Sequence, residues 1–259
     1  MSFIDHLEEL RWHIIRSLGA VLIFSIIAFL SKQIVFGIIL LGPSKADFWT
    51  YRFLCDIGQT INVFSFCITE LPFIIQSRQM AGQFMMHLSS SFIIGVICTF
   101  PYAFWEFWRF ISPGMYKNEK DGAKGFIFIS SLLFFIGVLF GYYIVTPLSI
   151  NFLGSYTVSS EVFNDFDLDS YVGLLRSSVL ASGLIFEIPI IVHYLTKVGI
   201  VTPDFLRKNR KFALVIVLSL SAIITPPDIA SQIIVSIPIL ILYEISIIIS
   251  KIGFKKLNN

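Results

Sequence analysis

The sequence predicts an all-α polytopic membrane protein with six transmembrane helices. Three observations lead there. Apolar residues gather into runs of roughly 20, the length that crosses a hydrocarbon core of about 30 Å. The 259 residues are 56% hydrophobic and only 14% charged, against about a quarter charged in an average soluble domain. No run shows the weak alternation of a membrane β-barrel strand. The helices are expected to form one domain spanning residues 1–259. A net charge of +2 supplies no bulk attraction for nucleic acid.

The first dozen residues precede a long apolar run. Ser2 to Arg11 suit a short amphipathic helix, with Ser2 and Asp5 spaced as a capping box and Phe3, Leu7 and Leu10 on one face. Glu8 and Arg11 are spaced for an internal pair worth a few tenths of a kcal/mol. The first span covers 12–30, with Trp12 as an interface anchor. Acidic residues before the run and no small-x-small site after it argue for a retained helix rather than a cleaved signal peptide. Lys32 to Met80 is a long mixed loop, rich in Phe and Ile and expected to fold as a cap with short helices. It holds Cys55 and Cys67. A disulfide between them is open if the loop lies outside the cytoplasm, but spacing does not establish it. Cys98 falls in an apolar run and reads as a small core residue.

The second span covers 85–108, with Pro101 inside and Trp105 and Trp108 marking its far interface. A polar stretch to Lys124 follows. The third span, 125–145, is expected to end at Thr146-Pro147. The next loop carries Glu161, Asp165, Asp167 and Asp169 without a Lys or Arg. The fourth span, 171–195, contains Arg176 and Glu187. Thr202-Pro203-Asp204 reads as a capped helix start. The fifth span, 212–224, reaches only about 20 Å. Thr225-Pro226-Pro227-Asp228 then turns the chain, with Thr225 as expected cap and Asp228 at the third helical position of the sixth span, 229–250. Six spans put both termini on one side. Arg11, Arg16, Arg109, Lys117, the Arg207 to Lys211 cluster and the Lys-rich tail lie there, so both termini are expected in the cytoplasm.

Few residues suggest chemistry. Glu9 and Glu119 sit at cytoplasmic ends of spans. Two carboxylates on one face suit two adjacent arginines, because each accepts bidentate, charge-assisted bonds worth about 1.5–3 kcal/mol apiece. Lysine, a point donor, fits less well. The plainer reading is a pair of solvated interface charges, with Lys117 and Lys120 beside Glu119. Glu187 is the strongest anomaly, since a carboxylate near a helix centre costs roughly 3 kcal/mol. Pro189 removes an amide nearby and makes the helix locally polar. Arg176 is too far along the axis to pair with it and is expected to snorkel outward. Capping accounts for Thr225 and Asp228. Gln232 is left over and suits a bond across helices. His6, His13, His87 and His193 are scattered without metal spacing, and neither a nucleophile motif nor a phosphate loop is present. No enzyme and no cofactor is expected.

The residues resemble a known family. His6-Leu7-Glu8-Glu9-Leu10-Arg11, Phe110-Ile111-Ser112-Pro113-Gly114-Met115-Tyr116-Lys117-Asn118-Glu119, Phe186-Glu187-Ile188-Pro189, Leu206-Arg207-Lys208-Asn209-Arg210 and Thr225-Pro226-Pro227-Asp228 with Ser231-Gln232 are similar, in order, to motifs of the TatC family. That family supplies the signal-receptor subunit of the twin-arginine protein translocase. The resemblance implies a glove-shaped six-helix protein of the cytoplasmic (inner) membrane. It binds twin-arginine signal peptides of folded substrates and works with TatA- and TatB-type single-span partners, driven by the proton-motive force and without a cofactor. It also implies self-association within that complex. Carried over by motif, Glu119 is the main contact for the arginine pair, with Glu9 beside it and Arg11 and Phe110 shaping the site. Glu187 becomes an intramembrane polar residue, and Thr225, Asp228 and Gln232 lie at the partner-docking site. Glu106 stands where glutamine is frequent and is expected to add negative charge near Phe110. Gly114 stands where alanine is common. Two rival readings are a proton-coupled solute transporter using Glu187 and a membrane scaffold without a ligand.

Overall fold

The structure is a computed structural model that describes residues 3–60, 67–68, 71–111, 123–159, 161–162, 164–226 and 228–257. In chain order its helices are α1 (Phe3–Leu30), a π-helical segment (Gln33–Leu40), α2 (Trp49–Thr60), α3 (Gly82–Ile111) and α4 (Ala123–Phe140). A π turn (Gly141–Val145) leads into α5 (Thr146–Ser155), then α6 (Leu168–Ile185), α7 (Ile188–Lys197), α8 (Pro203–Lys208), α9 (Arg210–Ile224) and α10 (Ile229–Leu257). Two three-residue strands, β1 (Ile74–Gln76) and β2 (Asp165–Asp167), pair with each other.

The elements fall where hydropathy puts them, with instructive exceptions. The amphipathic start and the first span are one continuous helix. The third span does not stop at Thr146-Pro147: an apolar helix runs on from Gly125 to Ser155. The π turn makes this possible. The Thr146 amide reaches back to the carbonyl of Gly141, and its hydroxyl donates to the same oxygen at 2.8 Å. Pro147 then sits in the first turn of α5, where no amide is required. The fourth span is broken into α6 and α7 around Glu187. Among the described residues, five helices are long and apolar enough to cross a membrane. The α9 helix, 15 residues, reaches about 22 Å and falls short of that length. Outward faces are apolar, as with Leu22, Ile26 and Leu30 on α1 and Ile241, Ile245 and Ile248 on α10. Such faces are satisfied by lipid rather than water.

The chain groups into two compact units. In the first (residues 1–42, 76–132 and 167–172), α1 packs on α3. His13 near the start of α1 meets Glu106 near the end of α3, and Phe29 at the far end of α1 meets His87 at the start of α3, so the two run antiparallel. The seam is lined by small residues, which lets the backbones approach. A Cβ on Gly95 would lie 2.8 Å from the carbonyl oxygen of Val21 and strike the hydroxyl of Ser25. At the far end the His87 ring stacks on Phe29 with centroids 4.1 Å apart, while its Nε2 donates to the Phe29 carbonyl at 2.9 Å. Trp108 is buried against Phe126, 4.8 Å between centroids. Trp105 is exposed, with the Arg109 guanidinium 4.9 Å above its ring. Cys98, expected in the core, is on the exposed face of α3, since the seam face is filled by Gly95 and Thr99.

The second unit (43–75, 133–166 and 173–259) is built on α7 and α9 packed against α10. Its centre is Val145, Val217, Val235 and Ile239, with Phe140, Ile185 and Ile224 around them. The Thr196 hydroxyl meets Ser250 at 2.8 Å between α7 and α10. Gly199, at φ +80°, closes α7: its amide and that of Ile200 bond back to the carbonyls of Thr196 and Leu195. Cys55 and Cys67 are joined by a disulfide, so the open question about the loop resolves as a bridged cap. The short helix α2 makes that cap, as expected. It is seated on the π turn by Thr50, whose hydroxyl donates to the Tyr143 carbonyl. Buried Tyr51 shares its hydroxyl between the carbonyls of Pro43 and Pro147, at 3.0 and 3.2 Å.

Candidate functional site

Glu9 lies two turns into α1, in a helix whose first turns carry both acids and leucines. It is half-buried, and its Oε2 is buried with no hydrogen-bond partner among the described residues. A carboxylate oxygen withdrawn from water and left open is costly unless something else binds it. Its neighbour Glu8 is exposed and pairs with Arg11 at 3.9 Å, as the spacing suggested. Arg11 also lies 5.7 Å from the Trp12 ring centroid. Phe110, in the last turn of α3, meets the His13 ring edge-on at 6.2 Å. Glu119 lies outside the described residues.

Glu106 corrects the sequence reading. It adds no open negative charge near Phe110, because it is 1% exposed and fully engaged within the seam. The His13 Nδ1–H donates to its Oε2, and the Tyr102 hydroxyl donates to its Oε1 at 3.0 Å. Arg16 and Arg109, both half-exposed, stand 3.9 and 3.7 Å from it. One buried carboxylate therefore holds an imidazole, a phenol and two guanidiniums, drawn from both helices. His13, one turn after Glu9, reads in the sequence as one of four scattered histidines. The spacing of His13 after Glu9 and of Glu106 before Phe110 by one turn each is visible in the sequence, but not that the two turns face one another.

Glu187 is 7% exposed and sits between α6 and α7 as the residue before the first turn of α7. Its carbonyl accepts from the amides of Ile190 and Ile191, at 2.9 and 3.0 Å. The span expected to run unbroken over 171–195 is thus interrupted at the glutamate itself, with Pro189 in the first turn of the next helix. Arg176, on α6, is half-buried.

The residues around the α9–α10 turn divide their roles differently from the expectation. Thr225 does not cap α10; its hydroxyl donates back to the Ser221 carbonyl at 2.8 Å, finishing α9. Asp228 is the cap, accepting the Ser231 amide at 2.8 Å through Oδ2. The reason is length: two prolines after Thr225 carry the chain past it before helix resumes. Gln232 bonds across helices as anticipated, donating to the Leu218 carbonyl at 3.0 Å. Ile223, Ile229 and Ile233 beside them are exposed.

A family profile described as Sec-independent protein translocase protein (TatC) matches residues 5–238. The chain is 43% identical to the Sec-independent protein translocase protein TatC of Blattabacterium sp. subsp. Periplaneta americana (strain BPLAN), over 99% of this chain and 97% of that protein. It is 34% identical to TatCy of Bacillus subtilis (strain 168), over 99% and 91% of the two chains. A solved structure described as the twin arginine translocase receptor TatC in DDM superposes with a TM-score of 0.70 at 34% identity, covering 94% of this chain and 98% of that one. A second crystal structure of that receptor gives 0.66 at 31% identity, covering 96% and 99%.

Proposed function

From the premise that this chain belongs to the TatC family, as a multi-pass membrane subunit of the Sec-independent, twin-arginine translocase, we propose that it is the subunit that reads the arginine pair of signal peptides on folded substrates. The observation that carries this reading is Glu9, a half-buried carboxylate with an oxygen unpartnered among the described residues, one helical turn from the His13–Phe110 contact. Glu119 supplies the main contact in this reading, with Arg11 and Phe110 bounding the site.

Both termini are cytoplasmic in the inner membrane, and α9 completes a set of six spans. The cationic stretches gather on the terminal side, and the disulfide-bridged cap suits the opposite, oxidising side. TatA- and TatB-type single-span helices dock at the short α9–α10 corner, around Thr225, Asp228 and Gln232. The exposed isoleucines there and the shortfall of α9 both favour a covering helix. Copies of the subunit associate within the translocase. The protein acts as a transport component driven by the proton-motive force, without a bound cofactor, and Glu187 serves a step after signal binding.

The test is binding of a labelled peptide with adjacent arginines to the purified protein, against the same peptide with two lysines. Wild type should prefer arginine. Glu119→Gln should weaken arginine binding by about 10- to 100-fold, the loss of one to two charge-assisted bonds, and Glu9→Gln by less. Equal binding of both peptides, unchanged by either substitution, would overturn the receptor reading.

A further inference from the structure

We infer that Glu106 is a positioning residue for the peptide site: it fixes α1 on α3 beneath Glu9 and Phe110, and it holds the protein's own guanidiniums away from Glu9. This rests on the receptor reading above.

The protein's own cations are potential competitors for the site. Arg16 and Arg109 carry the same guanidinium that the ligand presents, and each is half-exposed on a flexible stem at the level of the site. Arg109 adjoins Phe110, and Arg16 lies two turns along α1 from Glu9. A resident arginine that reached Glu9 would occupy it intramolecularly, at an effective concentration no free peptide matches. Both cations instead lie within 4 Å of Glu106, and the Glu9 Oε2 has no partner among the described residues. Glu106 binds His13, and the His13 ring in turn abuts Phe110. One carboxylate therefore fixes the register of Glu9, one turn from His13, against Phe110, one turn from Glu106. An arginine-reading site needs that fixed geometry, since bidentate pairing is intolerant of slippage.

Glutamine separates charge from shape. Glu106→Gln keeps a side chain of the same size that still bonds His13 and Tyr102, but it removes the charge that draws Arg16 and Arg109, leaving Arg109 only its contact with the Trp105 ring. The experiment titrates the arginine-pair and lysine-pair peptides into the purified full-length protein. Wild type comes first: no arginine-selective binding there defeats the receptor reading and this inference with it. Given selective binding, Glu106→Gln should weaken the arginine peptide by roughly 3- to 30-fold, the range of coupling between contacting charges. Adding Arg16→Gln and Arg109→Gln to Glu106→Gln should restore most of that loss, because the competitors are gone. A purely architectural Glu106 would not be rescued so. Arg16→Gln with Arg109→Gln alone should leave affinity unchanged, which covers the case in which Glu106→Gln fails to fold. Wild-type affinity in Glu106→Gln, no recovery in the triple variant, or a loss in the double arginine variant as large as that of Glu106→Gln would each overturn the inference.

Discussion

Glu187 shows what a single residue can impose on a span. Its carboxylate costs roughly 3 kcal/mol at such depth, and the backbone around it has already given up the regular ladder. The Glu187 amide bonds to the Leu184 carbonyl, three residues back, at 3.1 Å before Pro189 enters the next turn. A buried acid at a helix break can change hydrogen-bond partners without unfolding the helices on either side. The residue lies in the second compact unit, whereas Glu9, His13, Glu106 and Phe110 all belong to the first. The proposed function gives the two groups separate roles. Glu187→Ala should leave peptide affinity at the wild-type value while slowing export of a twin-arginine reporter on the order of tenfold, about 1.4 kcal/mol in the barrier. If the substitution abolished peptide binding as fully as Glu119→Gln, this separation would be wrong.

At the scale of elements, the α1–α3 pair depends on how closely two backbones approach. Gly95 is the pivot: its missing side chain is occupied by the Val21 carbonyl and the Ser25 hydroxyl. A methyl there meets backbone that has nowhere to go, so Gly95→Ala should destabilise the purified protein by about 1–3 kcal/mol. Gly19, on α1, has nothing within 4 Å of a built Cβ. There the same substitution should be neutral or stabilising by up to about 1 kcal/mol, since alanine is the better helix former. Thermal unfolding in detergent compares the two, and equal effects would discount the close approach. The π turn is the other element-level device. By taking one extra residue before Thr146 it accommodates Pro147 and keeps an apolar helix running to Ser155. The Tyr143 carbonyl in the same turn receives the cap helix through Thr50.

For the molecule as a whole, the disulfide and the basic stretches make one joint statement about sidedness. Cys55–Cys67 requires an oxidising face, and the cationic segments favour the cytoplasm. In cells stripped of any outer membrane, a membrane-impermeant reductant should open the bridge and expose two new thiols to labelling. Cys98, within the apolar α3 span, should label independently of it. A bridge that opened only to a permeant reductant would invert the proposed topology.

Much of this architecture was legible in the chain. Span positions follow from hydropathy, which is local, and the capped start at Thr202 holds, with its hydroxyl accepting the Phe205 amide at 3.2 Å. The Glu8–Arg11 pair is likewise local, set by residues within one turn, whereas Pro189 reads in the sequence only as making its helix locally polar and in fact follows a break in it. What the chain could not show are relations between distant segments. His13 and Glu106 are 93 residues apart, so nothing in spacing or composition reveals that Glu106 is a buried counter-charge rather than an open acid. The same holds for Trp108, drawn inside by Phe126, and for Cys98, which is exposed although Gly95 and Thr99 close to it on the helix are buried. In a membrane, hydrophobicity does not distinguish the lipid face of a helix from its packed face. The sequence by itself therefore determined which segments are helices and roughly where they cross. Only the tertiary structure decided which side of each helix is inside, because that depends on fit between backbones and on which polar groups find each other.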